Sequence, residues 1–103
     1  MKQFDIYRNP DPQSARRTPY LVVLQSDYLS VVESVVVAPL VPLTRRKPIA
    51  RLTPVIAVSG IDHVLLAHEM AAVSRATMKR VAGTAASARD EIIAALDLVF
   101  LGF

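Results

Sequence analysis

A chain of 103 residues builds one domain around one modest core, because halves of that size would have too little interior to fold separately. Hydrophobic residues make up 52% of it and charged residues 20%, a balance that excludes disorder and points to apolar surface covered by another subunit. The absence of cysteine excludes disulfide staples, zinc–cysteine sites and thiol chemistry. The net charge of +3 suits an acidic protein or peptide partner.

Phe4 and Ile6 alternate with Asp5 and Tyr7, which predicts a short opening strand, and the Asn-Pro-Asp-Pro run at 9–12 starts a polar loop that reaches Pro19. Asp5 stands where an export leader needs an apolar run, so a cytoplasmic protein is expected. Tyr20 to Gln25 is β-branched and apolar, a strand candidate buried on both faces. Val31 to Ala38 makes a third strand, expected to stop at Pro39, whose ring removes a ladder donor. Val35 to Leu43, the longest apolar stretch, has nine residues and two prolines and predicts no membrane span. Pro39 to Pro48, with Arg45-Arg46-Lys47, reads as a solvated loop or bent edge. Arg51 to Val58 resumes strand character with Pro54 at an edge or bulge. Ser59-Gly60-Ile61-Asp62 is a turn that lets His63 to His68 pair back as a hairpin, and Ala72 to Met78 is one more strand.

The C-terminus changes period. Ser87 followed by Asp90 resembles a capping box, Asp90 and Glu91 complement the positive end of a helix dipole, and a helix is expected from about Ala88. Ile92, Leu96, Val99, Phe100 and Phe103 form one apolar stripe, while Leu98 to Phe103 is apolar around its whole circumference. Such an end needs neighbours on more than one side. One side is therefore expected on the sheet and the other on a second subunit, making a homodimer with Leu98, Leu101 and Phe103 at its interface.

Catalytic equipment is sparse. His63, His68 and Glu69 lack the spacing of a metal motif and the two histidines read as surface or edge residues. Ser26, Ser59, Ser74 and Ser87 have no nucleophile-elbow context, and glycines at 60, 83 and 102 cannot build a phosphate loop. No metal, no cofactor and no enzymatic activity are expected. The basic groups Arg16-Arg17, Arg45-Arg46-Lys47 and Lys79-Arg80 carry no interleaved aromatics, so direct nucleic-acid binding is not expected either.

Several segments in order resemble the CcdB toxins: Gln3-Phe4-Asp5-Ile6-Tyr7, Leu24-Gln25-Ser26-Asp27, Val37-Ala38-Pro39-Leu40, Leu52-Thr53-Pro54-Val55-Ile56, Glu69-Met70-Ala71-Ala72-Val73, and the helix Arg89 to Phe100 followed by Gly102-Phe103. The resemblance runs nearly end to end. It implies a mainly β fold, a small antiparallel SH3-like β-barrel of the CcdB/MazF type with one C-terminal α-helix, dimerised through that helix. It also implies a toxin that poisons DNA gyrase through its A subunit and is neutralised by a CcdA-like antitoxin. The family's final Trp-Gly-Ile triad, whose Trp stacks on an arginine of gyrase, corresponds here to Leu101-Gly102-Phe103. The surrounding contact positions correspond to Gln3, Phe4, Ser26, Tyr28, Leu29, Asp97 and Phe100. Packing is the ordinary alternative for Phe4, Leu29 and Phe100. The antitoxin-binding residues are not indicated. A MazF-like endoribonuclease and a diverged, non-toxic CcdB-like protein that titrates antitoxin remain the other two readings.

Overall fold

Strand β3 (Ser34–Pro42) is the spine of the protein, and its β-branched Val35-Val36-Val37 run suits a ladder paired on both edges. The computed structural model describes residues 1–103. Around β3 gather β1 (Asp5–Arg8), β2 (Tyr20–Val23), β4 (Val55–Val58), β5 (Ile61–Leu65), β6 (Ala71–Ser74) and β7 (Val81–Thr84). They form one seven-stranded antiparallel sheet, ordered β4-β5-β3-β2-β1-β7 with β6 also on β3. The sheet curls into a half-barrel, and helix α1 (Arg89–Leu101) packs on one face.

Pro39 does not end β3, contrary to the sequence expectation, because the strand changes partner there. Ser34 to Val37 pair with β6, and Leu40 to Pro42 pair with β5 on the same edge. The Pro39 carbonyl accepts the Leu66 N–H on that edge at 2.9 Å. A residue's N–H and C=O point to the same side of a strand, so the missing donor falls at the hand-over, where no acceptor is left waiting. On the opposite edge the Gln25 side chain prolongs the β2 ladder: its amide nitrogen donates to Ser34 O (3.0 Å) and its oxygen accepts from Val36 N–H (3.1 Å).

Other boundaries shift for local reasons. Val31 and Val32 lie in a loop, held by Arg75, whose guanidinium donates to Val32 O (2.9 Å) and Leu29 O (3.1 Å). Arg51 to Pro54 is not strand: Arg51 has φ +70°, and the Thr53 hydroxyl accepts the Ile49 N–H at 2.6 Å, closing a turn. The hairpin turn is Ser59-Gly60 alone, both at positive φ (52° and 78°), so β5 starts at Ile61 and Val58 faces Ile61. The segment expected to be one strand over 72–78 leaves the sheet after Ser74 as a short 3₁₀ turn, and β7, which the sequence reading missed, returns to pair with β1. Ser87 does not cap α1. The chain enters the helix through a 3₁₀ turn at Ala86–Ala88, and Thr84 Oγ1, not Ser87, accepts the Ala86 N–H at 3.1 Å.

Period-two alternation fills both faces. Ile6, Val22, Ala38, Leu40 and Leu65 pack with Ile92 of α1, whereas Tyr7, Leu21, Val23, Val35, Val37 and Met78 form a second cluster. Phe4 belongs to the first. Its N–H donates to Val23 O, its carbonyl accepts the Ala85 N–H, and its backbone sits at φ +70°, strain the buried ring offsets.

Ile92→Ala should lower stability by about 2–5 kcal/mol, since Ile92 is fully buried, read as an earlier urea midpoint with an unchanged slope. Burial raises the Tyr7 hydroxyl pKa above 10.0, with Asp5 adding to the effect and Arg75 opposing it. The unfolded chain therefore releases this proton first, and stability should fall as pH rises through and beyond 10; Tyr7→Phe should lessen that alkaline loss in pH-dependent urea melts.

Candidate functional site

Helix α1 ends in a left-handed cap: Gly102 takes φ +81° and its N–H donates to Leu98 O at 3.1 Å. The cap turns the last residues off the helix axis. Ile92 and Ala95 are buried and Leu96, Leu98 and Val99 partly so, but Phe100, Leu101 and Phe103 are 68%, 62% and 77% exposed. The apolar stripe thus divides, its first turns packing on the sheet and its last turn facing water. Phe100 does not fill the protomer's core. Asp97, exposed four residues before Leu101, puts a carboxylate beside this tip.

Tyr28 and Leu29 lie elsewhere, on a 3₁₀ turn (Asp27–Leu29) capped by Ser26, whose Oγ accepts the Tyr28 N–H at 3.2 Å. The Asp27 carboxylate accepts the Gln3 N–H (2.7 Å), and Gln3 Nε2 donates to Leu24 O (3.0 Å), so Gln3 and Ser26 build this turn. Tyr28 is 97% exposed and Leu29 is also exposed; Phe4, from the same group of positions, is core. No hydrogen bond or ion pair joins this turn to α1. The positions singled out from the sequence therefore form two separately built groups.

His63 is buried and not a surface residue. Its Nδ1 lies 2.8 Å from Ile61 O and its ring meets Tyr20 edge-on with centroids 5.3 Å apart. His68 sits on a 3₁₀ turn after β5 with Nε2 3.5 Å from Glu69 Oε2, which also accepts from Arg46 at 2.9 Å.

A further surface went unread in the sequence because its residues are far apart along the chain. On the sheet face away from α1, the β1–β2 loop overhangs three adjoining depressions. One of about 310 Å³ is lined by Arg8, Lys79 and Arg80, a middle one of about 280 Å³ has Leu21, Val37 and Pro39 in its floor, and one of about 340 Å³ holds Arg17, Arg45 and Arg46. The basic pairs seen as separate runs in the sequence are gathered here by the sheet: Arg8 N–H donates to Arg80 O at 2.8 Å.

A curled antiparallel half-barrel with a single C-terminal helix is the fold of MazF- and CcdB-type toxins. The chain superposes on an endoribonuclease in complex with its cognate antitoxin from a mycobacterial species (TM-score 0.78, 12% identity, 100% of this chain and 96% of that one). It likewise superposes on the MazE–MazF structure from Deinococcus radiodurans (TM-score 0.72, 17% identity, 100% and 97% coverage) and on Mycobacterium tuberculosis toxin MazF-mt6 (TM-score 0.70, 15% identity, 96% of each chain). At such identities the likeness is one of fold. No curated protein matches the sequence. The CcdB protein family matches residues 3–102, and the chain belongs to that family.

Gly102→Ala meets no atom within 4 Å but must hold φ +81°, which costs about 1 kcal/mol. The N–H of residue 102 should exchange about fivefold faster in hydrogen-exchange measurements, and the global urea midpoint should fall by no more than that same ~1 kcal/mol implies.

Proposed function

We propose that this chain is a toxin that works as a dimer, binds the A subunit of DNA gyrase through the capped end of α1, and is neutralised by a CcdA-like antitoxin. Membership of the CcdB family and the toxin fold support the toxin role. The observation that carries the gyrase reading is the tip itself, where Phe100, Leu101 and Phe103 stay mostly in water behind the Gly102 cap. Burying one such side chain is worth about 1.5–3 kcal/mol, so a helix end that leaves three in water is built for a macromolecular contact. Leu98, Leu101 and Phe103 pack on their copies at a two-fold seam; at its rim Leu101, Gly102 and Phe103 also face the target with Asp97 and Phe100, and Tyr28 and Leu29, on their separate turn, form a second patch for it. Inhibition of this kind needs binding and no proton transfer.

Leucine at position 101 lacks the π face that stacks on a guanidinium. Leu101→Trp should therefore tighten gyrase binding by about 2- to 30-fold per site, from the 0.5–2 kcal/mol of such a contact. The purified chain should trap cleaved gyrase–DNA complexes and run at about 23 kDa, twice 11.3 kDa, in light scattering. Phe103→Asp should abolish trapping. Absence of trapped complexes from the unmodified chain overturns the gyrase reading, and a clean 11.3 kDa species overturns the dimer.

A second reading, RNA cleavage, is favoured by one grouping: His68, Glu69 and Arg46 lie within 3.5 Å steps of one another, and the structures the chain resembles include endoribonucleases. Purified protein that cuts RNA, and stops doing so as His68→Ala, would replace the gyrase reading. A chain with neither activity fits a diverged relative that titrates antitoxin.

A further inference from the structure

We infer that Arg75 is a positioning residue for the gyrase contact: its guanidinium clamps the turn that presents Tyr28 and Leu29, and it acts on the target through that turn. The target comes from the gyrase reading, on which the inference rests; the clamp stands on hydrogen bonds of this chain. All eight residues from Asp27 to Ser34 are exposed, so no buried side chain of the segment ties it to the core. Tyr28 and Val31 stand 97% and 91% in water. A depression of about 510 Å³ lies beside them, lined by Ser30 to Glu33 on the loop and by Ser74 to Ala76 past the end of β6. A loop with so little packing is drawn from the least stable part of a fold unless polar contacts hold it.

Arg75 supplies those contacts. The β3–β6 ladder runs to Ser34 opposite Ser74, so the next residues, Glu33 and Arg75, meet just past the last rung, and the Arg75 N–H donates to Glu33 O at 2.8 Å. From there the side chain reaches along the loop: Nε donates to Val32 O at 2.9 Å, Nη2 to Leu29 O at 3.1 Å and Nη1 to Met1 Sδ at 3.1 Å. Leu29 O also accepts the Val32 N–H at 3.0 Å, so the guanidinium fastens the same carbonyl that closes the turn. No carboxylate pairs with Arg75. Three nitrogens in one rigid plane reach three separate acceptors, which the single ammonium of a lysine cannot do. From the other direction the Asp27 carboxylate accepts the Gln3 N–H at 2.7 Å, and Tyr28 stands between the two anchors in sequence.

A turn held in one shape before the target arrives loses less freedom on binding, which raises affinity without adding a contact. The competing role is a direct one, with the Arg75 charge paired to an acidic group of the target. The geometry favours positioning: the guanidinium is half-buried, and each of its nitrogens already donates within the chain.

Two measurements on the full chain test this, with urea midpoints to check that each variant folds. In hydrogen exchange, Arg75→Ala should speed the Leu29, Ser30 and Val32 amides, all bonded within the turn, about tenfold, while the Leu24 amide, bonded to Val36 O in the sheet, stays unchanged. Arg75→Lys, which keeps the charge and loses the fork, should speed the same three amides. In titrations against the purified gyrase A subunit, Arg75→Ala and Arg75→Lys should each weaken binding about tenfold. In a chain already carrying Tyr28→Ala and Leu29→Ala, which keeps the helix tip, Arg75→Ala should add nothing further. Unchanged exchange at the three turn amides, or an undiminished loss in the chain without those two side chains, overturns the proposal. Full binding by Arg75→Lys while its turn amides exchange fast overturns it too, because charge and not position would then decide. A chain that binds gyrase and is indifferent to Arg75→Ala loses this role alone; a chain that does not bind gyrase loses the gyrase reading and this role together.

Discussion

The structure depends on keeping β3 hydrogen-bonded along both edges while both of its faces are buried. Unpaired N–H and C=O groups in that position would each cost about 1–3 kcal/mol, more than a chain of this size can carry many times over. The solution has three parts: β2 with the Gln25 side chain on one edge, β6 and then β5 on the other, and Pro39 at the place where the second edge changes hands. The same strand thereby sets the two faces. Its Ala38 and Leu40 look toward α1, and its Val35 and Val37 look to the opposite face, into the cluster of Tyr7, Leu21, Val23 and Met78.

Each face carries a different kind of surface. The α1 face is apolar and ends in a helix tip that the protomer does not cover. The opposite face combines an aliphatic floor with cations at both ends. The two surfaces are chemically distinct and lie on opposite sides of one sheet. The tip offers apolar area and little charge apart from Asp97. The groove offers charge at its ends and little area.

Much of the site was legible in residue order, and the part that was not had a common cause. The oily helix end at Leu98 to Phe103 could be read directly, because its residues are apolar around the whole circumference. The exposure of Phe100 could not, since it depends on where the sheet stops beneath α1. Tyr28 and Leu29 could be named from the family likeness, but their separation from the helix tip follows from the Gln3–Asp27 and Arg75 contacts that fix the loop. All the groove's cations but Arg8 sat in plain view in three basic runs. Arg8, Lys79 and Arg80 meet only because β7 returns beside β1, and β7 is four residues long with Ala82 and Gly83, both depleted in strands, at its centre.

By itself the sequence determined the elements whose cause is local: the alternating run of β1, the β-branched apolar runs of β2 and β3, the turn at Ser59-Gly60, the apolar helix from about Ala88, and the lack of any thiol. Tertiary structure alone decided that Pro39 lies inside a strand, that β7 exists, that His63 is buried against Tyr20, and that scattered arginines share a groove. These are questions about partners distant in the chain. A proline's missing donor, a weak strand or a lone charge takes its meaning from what the fold sets opposite it.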